Sequence, residues 1–318
     1  MMLNILSVTT SMGQDAVYSQ FYANPLYLNP SLVGSTISKR LTANYRNQWP
    51  SLNNAFTSYS VSYDQYVDAI SGGFGVLATT NREVGGLLSS TSAYLIYSYR
   101  LQASRNLNVN FGLGGGVYQK SIDWGSLVFE NPENEITLDH TSRVVPDFNL
   151  GAIASYKDLF YAGIALYHVT QPVVSFYDNN YLSKLPIRYT IHTGGNIYLD
   201  DSYRYYPDDP PKYVLSPALV YVRQDASQQI NLGVNLTVYP FVFGMWYRNA
   251  FKNPDAFIAL VGFYLRGFQF GYSYDATISK FSTATGGAHE ISLGYRFAPS
   301  KLSKQTINKQ KEIPCPRF

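Results

Sequence analysis

Apolar and polar residues alternate one by one along most of this chain. A period of two suits a β-strand with one greasy and one wet face, and it does not suit an amphipathic helix. In 41–49 the odd positions hold Leu41, Ala43, Tyr45, Asn47 and Trp49, and the even ones Thr42, Asn44, Arg46 and Gln48. In 107–117, Leu107, Val109, Phe111, Leu113 and Val117 stand against Asn108, Asn110, Gly112, Gly114 and Gly116. Similar runs lie at 55–63, 72–80, 91–101, 146–156, 159–168, 188–199, 213–223, 229–239, 241–248, 256–265, 267–275 and 287–297, which makes fourteen. Single-chain bacterial barrels have an even strand number. Ten residues rise roughly 33 Å, and a tilt near 40° brings that to about 25 Å, the height of the apolar band of a transmembrane barrel.

Composition separates that barrel from a soluble sandwich. Charged residues are 14% of the 318, against about 25% in soluble domains, while aromatic residues reach 16%. Such a load excludes disorder. No stretch approaches the run of apolar residues a spanning helix needs, and the mean hydropathy of −0.13 is what alternation produces. Net charge is +3 with basic residues scattered until the last twenty positions, so no nucleic-acid partner is expected. Cys315 is the sole cysteine, which excludes an intrachain disulfide. The connections alternate in length: Lys157-Asp158, Tyr239-Pro240 and Arg266-Gly267 are tight, whereas 118–145, 169–187, 81–90 and 276–286 are long, with 200–212 an exception. Periplasmic turns and longer outer loops have this pattern, and an even strand count then puts both termini in the periplasm. Trp49, Tyr63, Tyr99, Tyr156, Tyr221, Trp246 and Tyr295, at strand ends, suit interfacial girdles in contact with outer-membrane lipid.

Catalytic chemistry is not visible. His140, His168, His192 and His289 lack ligand spacing, no nucleophile motif occurs, and Gly112–Gly116 alternates within a strand rather than forming a phosphate loop. Glycine there makes room on the inner face or kinks the strand. No enzyme, cofactor or metal is therefore expected.

The regions outside the alternation divide the chain. Residues 1–13 resemble the tail of a secretory signal peptide without its basic start. Residues 14–40 cannot alternate, because Asn24-Pro25 and Asn29-Pro30 initiate turns around Leu26, Tyr27 and Leu28. At membrane depth such a segment needs shielding from lipid. It is expected as a plug inside the barrel 41–297, through Phe21, Tyr22, Asn24, Pro25, Tyr27, Leu28, Asn29 and Pro30, with a periplasmic strap as the alternative. Trp124, Leu127, Val128, Phe129, Val173, Val174, Phe176 and Tyr177 put apolar residues in the two longest loops. They are expected to dock a partner at the cell surface, or to fold back as a lid. The tail 298–318 is basic and proline-broken and ends Cys315-Pro316-Arg317-Phe318. These four are expected to contact a periplasmic partner, with Cys315 as an apolar contact.

The stretch QDAVYSQFYANPLYLNPSLVG at 14–34, followed by LTANYRNQWP at 41–50, closely resembles the opening of the PorP/SprF family of Bacteroidetes membrane proteins. Gly271–Asp275, Gly287–Leu293 and Cys315–Phe318 extend the resemblance to nearly the whole chain. It implies a non-enzymatic outer-membrane β-barrel of the type IX secretion and gliding machinery. It also implies partners, either periplasmic or lipoprotein components of the secretion apparatus or a secreted, adhesin-like client at the cell surface. A second resemblance, of Asn29-Pro30-Ser31 to the amino-terminal hatch of the fatty-acid channel family, implies instead a passage for small hydrophobic molecules. The inward-parity residues Asn108, Asn110, Asn149, Ser155, Thr190, Asn196, Asn231, Asn235, Ser273 and Ser292 are small and polar, which favours the first reading.

Overall fold

The computed structural model describes residues 14–36, 38–52, 56–126, 141–157, 159–176, 183–199, 212–251, 254–278 and 286–297. The strands are β1 (Arg40–Gln48), β2 (Phe56–Val67), β3 (Gly72–Glu83), β4 (Leu88–Gln102), β5 (Leu107–Ile122), β6 (Thr141–Tyr156) and β7 (Phe160–Tyr167). They continue with β8 (Arg188–Gly195), β9 (Ile197–Tyr198), β10 (Tyr213–Gln224), β11 (Ser227–Val238), β12 (Phe241–Asn249), β13 (Pro254–Leu265), β14 (Phe268–Thr277) and β15 (Ala288–Arg296). β8 and β9 are one stave interrupted at Asn196, so the described residues form fourteen staves, each antiparallel to the next in chain order. The interruption falls opposite Ser216-Pro217 in the register with β10. Pro217 has no N–H to give to the ladder, and Ser216 Oγ bridges to Asn196 Oδ1 at 2.8 Å instead.

The sheet closes on itself because β1 pairs β15 from Arg40↔Arg296 to Gln48↔Ala288. Closure leaves no edge strand to be stranded in lipid. The alternation now has a direction. Met245 is 74% exposed and Leu95 61%, on the outer face, while Asn110, Asn149, Ser155, Thr190, Asn231, Asn235, Ser273 and Ser292 are buried inside. Trp246 corrects an expectation: it is one residue out of phase with Phe243, Met245 and Tyr247, and its ring is buried on the inner face rather than in a girdle.

The two ends of the barrel differ. At the turn end, the strands join through 68–71, 103–106, 157–159, 239–240 and 266–267, with 199–212 the long exception. At the loop end lie 49–55, 123–140, 168–187 and 278–287, but also the short links Asp225-Ala226, 250–253 and 84–87, the last where a long loop over 81–90 was expected, because β3 and β4 stay paired up to Glu83↔Leu88. Phe297 N donates to Lys39 O (3.0 Å) at the turn end. Between Lys39 and the start of the described chain, the segment 14–36 travels the height of the barrel. Gly34 N meets Asp64 Oδ2 (2.8 Å) near the turn end, and Asp15 N meets Gln224 Oε1 (2.9 Å) at the loop end. Among the described residues, Asp15 stands at the loop end and Phe297 at the turn end.

Candidate functional site: the amino-terminal segment and its lumen partners

The two Asn-Pro pairs shape the segment. Pro25 begins a single α-turn, Pro25–Leu28, and Pro30 a 3-10 turn, Pro30–Leu32. Proline suits a first helical position, where its missing N–H would lack a partner anyway. Asn29 caps the second turn, with its Oδ1 accepting from Ser31 N (2.9 Å) and Ser31 Oγ (2.7 Å). Its Nδ2 donates to Ala152 O (3.2 Å) and Ile164 O (3.1 Å) and lies 3.0 Å from His192 Nε2. So compact a backbone approaches the wall closely only where the wall has no side chain. A Cβ on Gly112 would strike the backbone of Pro30 and Ser31, and one on Gly151 would strike Asn29 Oδ1. These glycines make room on the inner face, as the sequence suggested for Gly112.

Apolar packing is shared between segment and wall. Phe21, Tyr22, Leu28 and Leu32 cluster with Ile153, Tyr161, Val220 and Trp246, while Leu26 and Val33 cluster with Leu77, Tyr94 and Ile96. The Phe21 and Trp246 rings are 5.6 Å apart, and Tyr161 Oη donates to Tyr22 Oη (2.7 Å). Each fully buried leucine is worth about 1.5–3 kcal/mol over exposure.

Polar anchoring is denser still. Glu290, fully buried, accepts from Ser19 N (2.6 Å) and Gln20 N (3.1 Å) and pairs with Arg46 Nη1 (3.3 Å). Asp275 Oδ2 takes Ser19 Oγ (2.7 Å), Arg46 Nη2 (2.8 Å) and Arg248 Nη1 (3.0 Å). Two arginines thus face two carboxylates, the balance a buried cluster requires. Lower down, Arg40 grips Asp64 with Nε (2.8 Å) and Nη2 (3.1 Å), and Asp64 in turn holds Gly34 N.

At the loop end, His168 bridges two carboxylates, with Nε2 2.9 Å from Asp15 and Nδ1 2.7 Å from Asp147. Arg188 Nη1 is 3.0 Å from Asp15, and its guanidinium lies over the rings of Tyr27 (4.2 Å) and Tyr167 (4.0 Å). Burial alone would lower the His168 pKa, but the Asp15 and Asp147 carboxylates outweigh it and push it up to about 9. Burial would likewise raise the Asp15 carboxyl, yet His168 and Arg188 hold it well below the usual carboxylate range.

Of the eight residues expected in the segment, Phe21, Tyr22, Asn24, Pro25, Leu28, Asn29 and Pro30 are buried, and Tyr27 is half-buried under Arg188. The loop residues divide. Trp124 is half-buried and donates to Thr141 Oγ1 (3.1 Å), and Val173 bridges Lys184. Val174, expected as an exposed docking residue, is instead buried with Tyr118, Val145 and Leu185, because the chain folds inward after β7. Phe176 is half-buried. Leu127, Val128, Phe129 and Tyr177, and the terminal Cys315, Pro316, Arg317 and Phe318, lie outside the described residues. Sequence reasoning missed Asp15, Ser19, Gln20, Arg46, Asp147, His168, Arg188, Arg248, Asp275 and Glu290. The available signal was charge at inward-parity positions of strands with a lipid-facing side, as at Arg46, Arg248, Asp275 and Glu290.

Among solved structures, the chain is similar to the toluene transporter TbuX of Ralstonia pickettii (TM-score 0.51, 11% identity, covering 86% of this chain and 93% of that one). It is also similar to the outer-membrane protein Omp33 of Acinetobacter baumannii (0.47, 10%, 83% and 100%) and to a FadL homologue of Pseudomonas aeruginosa (0.44, 9%, 82% and 90%). At 11% identity the likeness to TbuX shows the fold, an outer-membrane β-barrel, and nothing of the cargo. No curated protein sequence matches the chain. A family model does, across residues 10–295, and its description is type IX secretion system membrane protein PorP/SprF. With nearly the whole barrel and the segment inside that match, the chain belongs to the PorP/SprF family of type IX secretion system membrane proteins.

Proposed function

We propose that this barrel is a non-enzymatic docking component of type IX secretion rather than a conduit, with residues 14–36 acting as its plug. The observation that carries this reading is the occupied lumen. The segment meets inward residues on β1, β2, β4–β8, β10 and β12–β15, using ion pairs and backbone bonds that a passing solute would have to break. With the turn end in the periplasm, the loop end presents a surface to a secreted, adhesin-like client. The tail beyond 297, through Cys315, Pro316, Arg317 and Phe318, reaches periplasmic or lipoprotein components of the secretion apparatus. Copurification from envelopes tests this. The full chain should retain secretion components, and a form ending at Ser300 should lose the periplasmic ones while keeping heat-modifiable migration. Unchanged retention would remove the tail from the account.

A passage for small hydrophobic molecules is favoured by one feature, a pocket at the loop end lined by Val17, Tyr18, Phe21, Leu28 and Val222. Asp15, Arg188 and Gln224 line it too, and beneath it the segment packs against Trp246 and Tyr161. Uptake of a radiolabelled aromatic hydrocarbon by cells with and without the chain separates the readings. Docking predicts no difference.

A further inference from the structure

The barrel wall is not level at the loop end. β6 pairs β5 all the way to Ile122↔Thr141, but it pairs β7 only from Tyr156↔Phe160 to Leu150↔Leu166. One more bond follows, Val169 N to Phe148 O (3.0 Å), and the chain then turns away at His168 and Gln171, both with positive φ. β8 begins at Arg188, level with Tyr167, so it does not fill the gap. Among the described residues, the upper part of β6 therefore has a neighbour on one side only.

Backbone direction identifies the groups that no described residue pairs. Phe148 O faces the β7 side, while Lys157 N donates to Asn106 O on the β5 side (2.7 Å). Hydrogen-bonding direction alternates along an antiparallel strand, so Ser142, Val144 and Pro146 face the notch. Ser142 and Val144 each offer an N–H and a C=O, and Pro146 a C=O alone. Proline is tolerated at such a position because no partner there takes its N–H. The same residues turn their side chains outward, with Val144 60% and Phe148 45% exposed. Beside the notch, an outer groove of about 480 Å³ is lined by Gln171, Ile187, Tyr189, Ile191, Tyr221 and Arg223.

We propose that this edge of β6, from Ser142 to Phe148, is the seat for an extended strand of the exported surface protein, added to the wall by backbone pairing. The inference rests on the docking reading above and names its surface. An open edge presents donors and acceptors in alternation and is a template for another strand. A lipid headgroup supplies acceptors for the N–H groups but no matched row of donors for the C=O groups. In a two-fold pairing of two copies centred on Val144, Pro146 of each would stand opposite Ser142 of the other and forfeit a bond. A strand with apolar residues at alternate positions meets both the edge and the outward Val144 and Phe148.

Photo-crosslinking side chains placed singly at the edge positions 142 and 144, and at 124 away from the edge, in cells exporting type IX surface proteins, test this, with crosslinked peptides mapped by mass spectrometry. Expected are crosslinks from 142 and 144 to one short segment of an exported protein, at residues two apart. Val144→Pro removes a notch-facing N–H without touching the β5 ladder. It should lower the crosslink yield from 142 at least tenfold with heat-modifiable migration unchanged, whereas Val145→Pro, which faces β5, should damage the barrel. Crosslinks to lipid, to a second copy or to residues 177–182 of the same chain would overturn the proposal, as would an undiminished yield in Val144→Pro. Should exported protein crosslink at position 124 but not at 142 or 144, the docking reading stands and the edge is wrong. Should none crosslink at any of the three, the docking reading itself fails.

Discussion

Glu290→Gln is the perturbation that bears most sharply on how the segment is held. Glu290 is fully buried and accepts the Ser19 and Gln20 amides at 2.6 and 3.1 Å, one on each carboxylate oxygen. A glutamine keeps one acceptor and turns an NH₂ toward one of those donors, so one bond is lost and one N–H is left facing another. Arg46 retains Asp275 at 2.8 Å and is not orphaned. Losing a charge-assisted bond and stranding a buried donor costs about 3 kcal/mol, which is on the order of a hundredfold in the opening equilibrium of the segment. Hydrogen exchange in bicelles reads that equilibrium directly. The Ser19 and Gln20 amides should exchange about a hundred times faster, while the ladder amides of β1 and β15 keep their rates, because the substitution alters only the Glu290 side chain and leaves its backbone pairing opposite Arg46 intact. Equal acceleration of segment and strands would show that the two open as one unit. No acceleration would show that Glu290 does not anchor the segment.

Other outcomes follow from the same geometry. Gly112→Val drives a side chain into the backbone of Pro30-Ser31 and should displace the segment while leaving the barrel closed, seen as protease sensitivity within 14–36 of a heat-modifiable protein. Trp246→Ala removes the ring against Phe21 and Tyr22 and should weaken segment packing by about 3–5 kcal/mol, whereas Met245→Ala on the lipid face should leave exchange at Phe21 unchanged. His168, held up to about 9 from 6.5 by its two carboxylates, contributes anchoring that is complete below its free value and lost as pH rises through about 9. After correction for intrinsic rates, exchange at the Asp15 amide should be flat in acid to neutral solution and accelerate toward alkaline pH, and His168→Gln should abolish that pH dependence.

The fourteen spans were legible in the sequence because lipid and lumen impose opposite polarity on neighbouring residues, and that contrast survives wherever both media are present. Strand ends were less legible. β4, β5 and β6 run to 15, 16 and 16 residues, beyond the expected ends. Above the membrane, outward positions such as Thr91 and Ser142 no longer need to be apolar, so the alternation fades while the ladder continues. Trp246 was misread because aromatic character alone was used, although the phase of Phe243 and Met245 already turned it inward. The Asn-Pro pairs announced turns, and both turns exist. Their partners were not legible: the contacts of Ser19 with Glu290 and of Asp15 with His168 depend on the register of a closed ring, and no local pattern encodes which way a segment threads it. Hence the place of Asp15 beside Gln224 at the loop end could not be read from the residues around it.

The central claim is that the segment closes the lumen, and single-channel recording in planar bilayers tests it most directly. The account predicts that the full chain is electrically silent apart from brief openings, that those openings grow more frequent in Glu290→Gln, and that a chain lacking residues 14–36 passes a steady large-pore current. A steady large-pore current from the intact chain would contradict it.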